Sequence, residues 1–425
     1  MHNSYLIILV LLLLNSTFYS LKFPITRFPD RIFFDPNDTK DYYFYKEITI
    51  DLNIGSQQNY MKILLCIALG DSALWINHYD KNISQDSETI SQKYNPKLSE
   101  TYKFLGTGCD HYIYDVQCRG YLSEETIRLY PVENKRSKEQ NITIELNNFN
   151  LLTEYNKNNL YINEAISGIL NLPHRRNDYR FLGYDWDLIF QLHERKIIHN
   201  TLFGINNKFL YIGEFPFNKD DYQICIYNSG ICYLQKTNIT PLSEPLKVFF
   251  DIGFLYIKVT DVHFKEIINK YFNDLINIQH KCKVIQIPKH VEYIECDKDI
   301  QTKKLQPFIF EFEGGLNIKL NFKELLLENK NNKLVFGIIT TKQFRAFEQI
   351  NYDWIFGDIV FRHYSIYFDN MKNMTGFKRI NYLSQNFDHT KTNWIVTMFK
   401  LNLFVLLIGK LVILLLYKYN KFNTC

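Results

Sequence analysis

The 425-residue sequence has no basic stripe, no zinc-knuckle spacing of Cys and His and no glycine loop able to cradle phosphate, and its formal charge is only +4. These absences exclude the usual electrostatic and metal-based routes to nucleic acid, so no nucleic-acid partner is expected. Histidine suggests no metal either: "HERKIIH" (His193 to His199) spaces its two rings i, i+6, which are not on one helical face. The basic "HRR" (His174 to Arg176) reads as a solvated loop, and no cofactor is expected. Short internal repeats are missing and helical periodicity is scarce.

What the chain has instead is aromatic residues, 34 Phe and 30 Tyr, which suit β-structure because flat side chains pack across strands. "ITIDLNI" (Ile48 to Ile54), "ITIEL" (Ile142 to Leu146) and the hairpin "FIFEFEGGLNIKL" (Phe308 to Leu320) alternate with period two, which predicts one face of each in a core. The clearest helix starts at Thr260 as N-cap and sets Phe264, Ile267, Ile268, Tyr271 and Leu275 on one side. The length suits one large or two medium domains.

Both ends are apolar. "YLIILVLLLL" (Tyr5 to Leu14) has the length of a signal-peptide core, although no Lys or Arg precedes it, and the small residues after it allow cleavage near Ser20. "WIVTMFKLNLFVLLIGKLVILLLY" (Trp394 to Tyr417) is long enough to span a bilayer, which needs about 20 residues. Lys400 and Lys410 interrupt it. A central Lys costs about 2.5 to 3.5 kcal/mol, and each Leu, Ile or Val returns a few tenths, so insertion is feasible. The tail lysines Lys418 and Lys421 place that end in the cytosol. A single-pass type I protein of the secretory pathway or cell surface is expected.

Cysteine usage agrees with an oxidising compartment. Cys109 and Cys118, Cys225 and Cys232, and Cys282 and Cys296 fall in close sequential pairs, and strands on either side of "YNSG" would set Cys225 opposite Cys232 in a hairpin. Cys66 is expected to pack as a small apolar residue, and Cys425 lies in the tail. Sequons at Asn37, Asn82, Asn141, Asn238 and Asn373 fit lumenal exposure.

Two strand-turn units, "CIALGDSALWI" (Cys66 to Ile76) and "VFFDIGFLYI" (Val248 to Ile257), look like one element used twice, about 180 residues apart. With their surroundings they resemble the pepsin-like aspartic peptidases, the A1 family. "ITIDLNIGSQQ" is similar to that family's strand ending Ile-Gly-Thr-Pro-x-Gln, and "ALGDSALWI" stands where Asp-Thr-Gly-Ser-Ser-x-Leu-Trp-Val is expected. "GYLSEETIRL" (Gly120 to Leu129), "SGILNLP" (Ser167 to Pro173) and "LFGINNKFLYIGEF" (Leu202 to Phe215) follow in the family's order. The second half is closer: "FFDIGFLYIKVTDVHFKEIINKYF" parallels the second Asp turn with its strand and helix. Cys282 and Cys296 stand where that lobe's bridge is expected, and "WIFGDIVFRHYSIYFDNMKNMTGF" (Trp354 to Phe377) is close to the C-terminal signature. The resemblance covers about residues 42 to 380 and implies a mainly β, bilobal acid-protease fold with an interlobe cleft.

The family's chemistry needs a carboxyl from each turn, one protonated and one ionised, to activate a water and support the substrate carbonyl. Asp251 supplies the second. Counting back from Trp75 puts the first on Ala68, and a two-residue gap would put Cys66 there; neither is an acid. Asp71, three residues on and up to about 10 Å of chain away, is a poor substitute where about 1 Å of misplacement costs roughly 10²-fold. The family's bracing Thr positions hold Leu69 and Ile252, and Phe254 replaces the residue that bonds the second Asp. The flap reads "YIYDVQCRG", without the expected glycines, leaving Tyr112 and Tyr114 as candidates for its tip. A lone Asp at a turn ordinarily serves local hydrogen bonding. Trp75 and Trp354 are expected in the core.

The organisation expected is a signal peptide (1–20), an N-terminal extension (21–41), a first lobe (42–218), a second lobe (219–382), a linker (383–393), a span (394–417) and a cytosolic tail (418–425). The function expected is that of a membrane-anchored, monomeric pepsin relative without competent catalysis that binds an extended peptide or protein in its cleft. An active aspartic endopeptidase of acidic compartments, pairing Asp251 with Asp71, is the second reading. A surface structural or adhesion glycoprotein is the third.

Overall fold

The computed structural model of the chain describes residues 21–28, 46–56, 60–68, 73–77, 94–113, 116–135, 138–141, 143–154, 166–173, 187–214, 221–226, 231–287, 291–301, 305–329, 332–341, 352–369 and 371–380. The signal-peptide and Trp394–Tyr417 segments lie outside them, and no helix among the described residues is long and apolar enough to cross a membrane.

Strands dominate, as the alternation requires, and they assemble into a mainly β, bilobal pepsin-like fold. An eight-stranded sheet gathers strands between Thr26 and Pro173 and is closed by pairing of Ile48–Ile54 with Val116–Leu129. An eleven-stranded sheet gathers strands between Cys232 and Phe356. A six-stranded sheet joins the two halves, since Leu21–Pro24, Phe209–Ile212 and Leu202–Ile205 continue into Tyr364–Asp369, Met374–Arg379 and Gln223–Ile226. Within the segment expected as an extension, Leu21–Pro24 pairs with Phe209–Ile212, and Thr26–Arg27 with Ile48–Ile54.

The apolar side of Ile48–Ile54 enters the core as predicted, but the other side is covered too. Thr49 and Asn53 are buried and only Asp51 is exposed, because the closed sheet leaves this strand little open surface. Trp75 and Trp354 are buried at 1% and 0% exposure. Thr260 caps the predicted helix by accepting from the His263 N–H. The helix Asp261–Ile267 then widens into a π-turn at Ile268–Phe272 before Asn273–Asn277. That insertion turns Phe272 inward beside the expected Phe264, Ile267, Tyr271 and Leu275.

Among the described residues two disulfides form, and one does so differently from the sequence reading. Cys282 and Cys296 face each other across the Cys282–Ile287 and Val291–Cys296 pair. Cys225 and Cys232 are also joined, but not within a hairpin. Gln223–Ile226 pairs with Met374–Arg379 in the joining sheet, whereas Cys232–Thr237 lies in the eleven-stranded one. The bridge thus ties two sheets, since Gln223–Ile226 and Cys232–Thr237 each pair with strands other than one another. Cys109 and Cys118 lie on the paired strands Lys103–Ile113 and Val116–Leu129, with their side chains outside the description.

Non-reducing peptide mapping is expected to recover Cys225 with Cys232 and Cys282 with Cys296. Replacing Cys282 and Cys296 by Ser, which opens a loop of sequence separation 14, is expected to lower unfolding free energy in urea by about 3 kcal/mol.

Candidate active site

In each half the chain runs through two strands that share one central partner. In the first, Ile166–Pro173 pairs in parallel with Tyr60–Ala68 and antiparallel with Leu74–Asn77, which is itself parallel to Ile144–Glu154. In the second, Trp354–Phe356 pairs in parallel with Leu246–Phe250 and antiparallel with Ile257–Val259, which is parallel to Ile338–Thr341. The two halves use one topology twice, which is the structural content of the repeated strand-turn unit.

Register gives a residue correspondence that counting along the sequence does not. Leu170 faces Leu65 on one side and Leu74 on the other; Phe356 likewise faces Phe250 and Ile257. The next residues agree, since the Asn171 N–H donates to Ala73 O at 3.1 Å and the Gly357 N–H to Tyr256 O at 2.9 Å. Superposing these pairs sets Cys66 on Asp251 and makes the first turn two residues longer than the second. By register Cys66 is the counterpart of Asp251, whereas the unbroken count from Trp75 reaches Ala68. Ala68 ends the strand, paired with Pro173. Asp71 and Leu69 lie outside the described residues, as does Tyr114, while Tyr112 is placed on Lys103–Ile113 opposite Gln117.

Cys66 is 2% exposed and packs with Leu64, Ala73, Trp75, Leu122, Leu152, Ile166 and Ile169, as its apolar character predicts. The structure does bring the end of the strand Tyr60–Ala68 to the Asp251 turn. Asp251, 1% exposed, takes an N–H from Gly253 on Oδ1 at 2.8 Å and a second backbone N–H from Ile67, the residue after Cys66. Burial pushes its carboxyl up from 3.8 to about 7, against the pull of these two N–H groups. Neither group carries charge, and among the described residues no second carboxyl is among the causes of the shift.

The bracing is also of a different kind. Ile252 and Phe254 are fully buried in the hydrophobic core and offer no hydroxyl. The turn is held by main-chain bonds: Asp251 N–H to Phe356 O at 3.0 Å, Lys46 N–H to Gly253 O at 2.8 Å and Asp358 N–H to Phe254 O at 2.5 Å. This crossing needs Gly357, where an added Cβ would lie 2.3 Å from Tyr256 O and 2.4 Å from Phe254 O.

A second buried acid under the turn was missed from sequence. Asp358 is 0% exposed, accepts from Arg362 Nε at 2.8 Å and pairs with Arg27 of the N-terminal segment. Burial raises its carboxyl, but the two guanidiniums outweigh that and hold it below the usual carboxylate range. The i, i+4 spacing of Asp358 and Arg362 was a legible signal; the Arg27 contact, from the far end of the chain, was not.

Because the folded state raises the Asp251 pKa, the stability it contributes is full below about pH 4 and is lost as pH rises through about 7. Asp251→Asn is therefore expected to stabilise the protein at pH 8 by on the order of 4 kcal/mol and to do little at pH 4. Denaturant unfolding of the full chain across that range is the measurement.

Residues 230–380 match the family model described as Eukaryotic aspartyl protease. No curated protein matches the chain. The matched region spans the Asp251 turn, the Cys282–Cys296 bridge and the Trp354–Phe377 segment. Residues 230–380 thus carry the aspartyl protease family match, and the doubled topology around Asp251 agrees with a pepsin-like fold.

Proposed function

We propose that this protein is a membrane-anchored pepsin relative that does not cleave peptides and uses the cleft between its lobes to hold an extended peptide or protein segment. The observation that carries this reading is the composition of the paired turns. Where the mechanism needs a second carboxyl, the register sets Cys66, and what reaches Asp251 from that side is the Ile67 N–H. A dyad works because two adjacent carboxyls share one proton; a lone buried carboxyl near pH 7 has no such partner to split the acid and base roles. Main-chain hydrogen bonding and side-chain pockets, which hold extended peptides in such clefts, do not require the acid.

Anchoring and lumenal exposure belong to the same reading, supported by the Trp394–Tyr417 run, the apolar N-terminal segment and the two bridges. The sequons sort by environment. Asn373 is exposed at the turn before Met374–Arg379, with a positive φ of 51°. Asn238 is half-buried and commits both ends of its amide, Nδ2 donating to Pro307 O at 2.8 Å and Oδ1 accepting from Ile309 N at 2.9 Å. Asn141 lies on Lys138–Asn141, while Asn37 and Asn82 lie outside the described residues.

The full chain is expected to give no pepstatin-sensitive cleavage of an unstructured protein between about pH 3 and 6, the range of a proton-sharing dyad, while binding extended peptides saturably. Pepstatin-sensitive turnover abolished by both Asp251→Asn and Asp71→Asn would establish the alternative pair and overturn the proposal. In a secretory host, enzymatic deglycosylation with peptide mapping is expected to find Asn373 carrying a glycan and Asn238 bare. An occupied Asn238 would contradict the sorting, and a chain without any glycan would contradict the lumenal placement.

A further inference from the structure

We propose that His263 is a pH-sensitive lock on the second lobe: while neutral it holds the buried indole of Trp354, and on protonation it releases it. The Trp354 Nε1–H donates to His263 Nδ1 at 3.1 Å, and Thr260 Oγ1 lies 2.7 Å from the same nitrogen. An indole N–H can only donate, so the hydrogen-bond network assigns Nδ1 as an acceptor and puts the ring proton on Nε2. Thr260 then turns its hydroxyl proton toward Nδ1, while its oxygen accepts the His263 N–H at 3.4 Å as the helix cap. One imidazole lone pair therefore joins the start of the helix to the strand Trp354–Phe356.

Protonation occupies that lone pair. It would set an Nδ1–H against the indole N–H and the Thr260 hydroxyl at once. Thr260 can rotate its proton away; Trp354 cannot. The indole is 0% exposed, with ring neighbours Phe310 at 6.0 Å and Phe356 at 6.2 Å, so its N–H would be left buried without an acceptor. The consequence reaches the site, because Trp354 pairs with Val248 on the strand that runs into Asp251.

Among the described residues, Glu266 acts on the ring from its own helix and Asp353 from the position before the strand Trp354–Phe356, and both favour the cation. Asp353 is partly committed, accepting the Lys247 N–H at 2.8 Å. From the neighbouring strand Ile338–Thr341, Thr340 bonds Asp261 at 2.5 Å. Burial is the largest influence and holds the imidazole below its usual 6.5. The stability contributed by the neutral ring is thus present above pH 6.5 and is lost progressively as pH falls below it.

The test is hydrogen exchange of the Trp354 indole N–H in the full-length protein in detergent, read by NMR at pH 7.5 and 5.0 and corrected for intrinsic exchange. Trp354→Phe assigns the signal. Protection is expected to fall at least about tenfold at the lower pH, the equivalent of one lost hydrogen bond. In His263→Asn, whose Oδ1 offers a non-titrating acceptor, protection is expected to be the same at both. Identical profiles for the two proteins would overturn the proposal. Should His263→Asn not fold, the ring ¹⁵N shifts of wild type decide: Nδ1 unprotonated at pH 7.5 and titrating below 6.5 supports the lock, and an Nδ1–H tautomer at pH 7.5 sinks it.

Discussion

The centre of this protein is governed by the cost of burying a carboxyl where its two halves meet. Two acids do so within a few residues of one backbone crossing, and they are accommodated in opposite ways. Asp358 is surrounded by Arg27 and Arg362 and stays ionised. Asp251 receives only the N–H groups of Gly253 and Ile67 and is driven toward its protonated form. Partial dipoles offset part of the desolvation of a charge; opposite full charges can offset nearly all of it. That difference separates a structural anion from a group poised near neutrality.

The ion pair also explains why the N-terminal segment is part of the domain. Arg27 is brought to Asp358 by the pairing of Thr26–Arg27 with Ile48–Ile54, and Lys46, at the head of that strand, reaches Gly253 through its N–H. Two first-half residues therefore brace the second-half turn from below, and Ile67 does so from the opposing turn. Where the family pattern uses threonine hydroxyls, this chain uses main-chain bonds and the buried bulk of Ile252 and Phe254. A turn held this way owes its shape to main-chain bonds and apolar packing rather than to hydroxyl braces.

What was legible in the sequence was local or carried by the repeated pattern. The alternating strands, the Thr260 cap, the Cys282–Cys296 pairing and the burial of Trp75 and Trp354 follow from residue type and spacing. The first acid position illustrates the limit: an unbroken count back from Trp75 lands on Ala68, while strand register sets Cys66 there, because an insertion within a turn leaves no periodic trace. Arg27 beside Asp358 and the sheet-to-sheet path of Cys225–Cys232 depend on which distant strands pair, and period-two patterning says only which face is buried. The π-turn at Ile268–Phe272 failed for a related reason, since one extra residue per turn shifts a helical stripe without breaking its apolar composition.

Asp251, which follows the strand Leu246–Phe250, and His263, on the helix Asp261–Ile267, make opposite demands on pH. Folding favours a proton on Asp251, so that group's contribution declines from about pH 4 to about pH 7. Folding disfavours a proton on His263, so its contribution declines below 6.5. Across the mildly acidic range the two slopes oppose each other. Strong acid satisfies the carboxyl and frees Trp354, whereas neutral pH secures Trp354 and begins to strain the carboxyl.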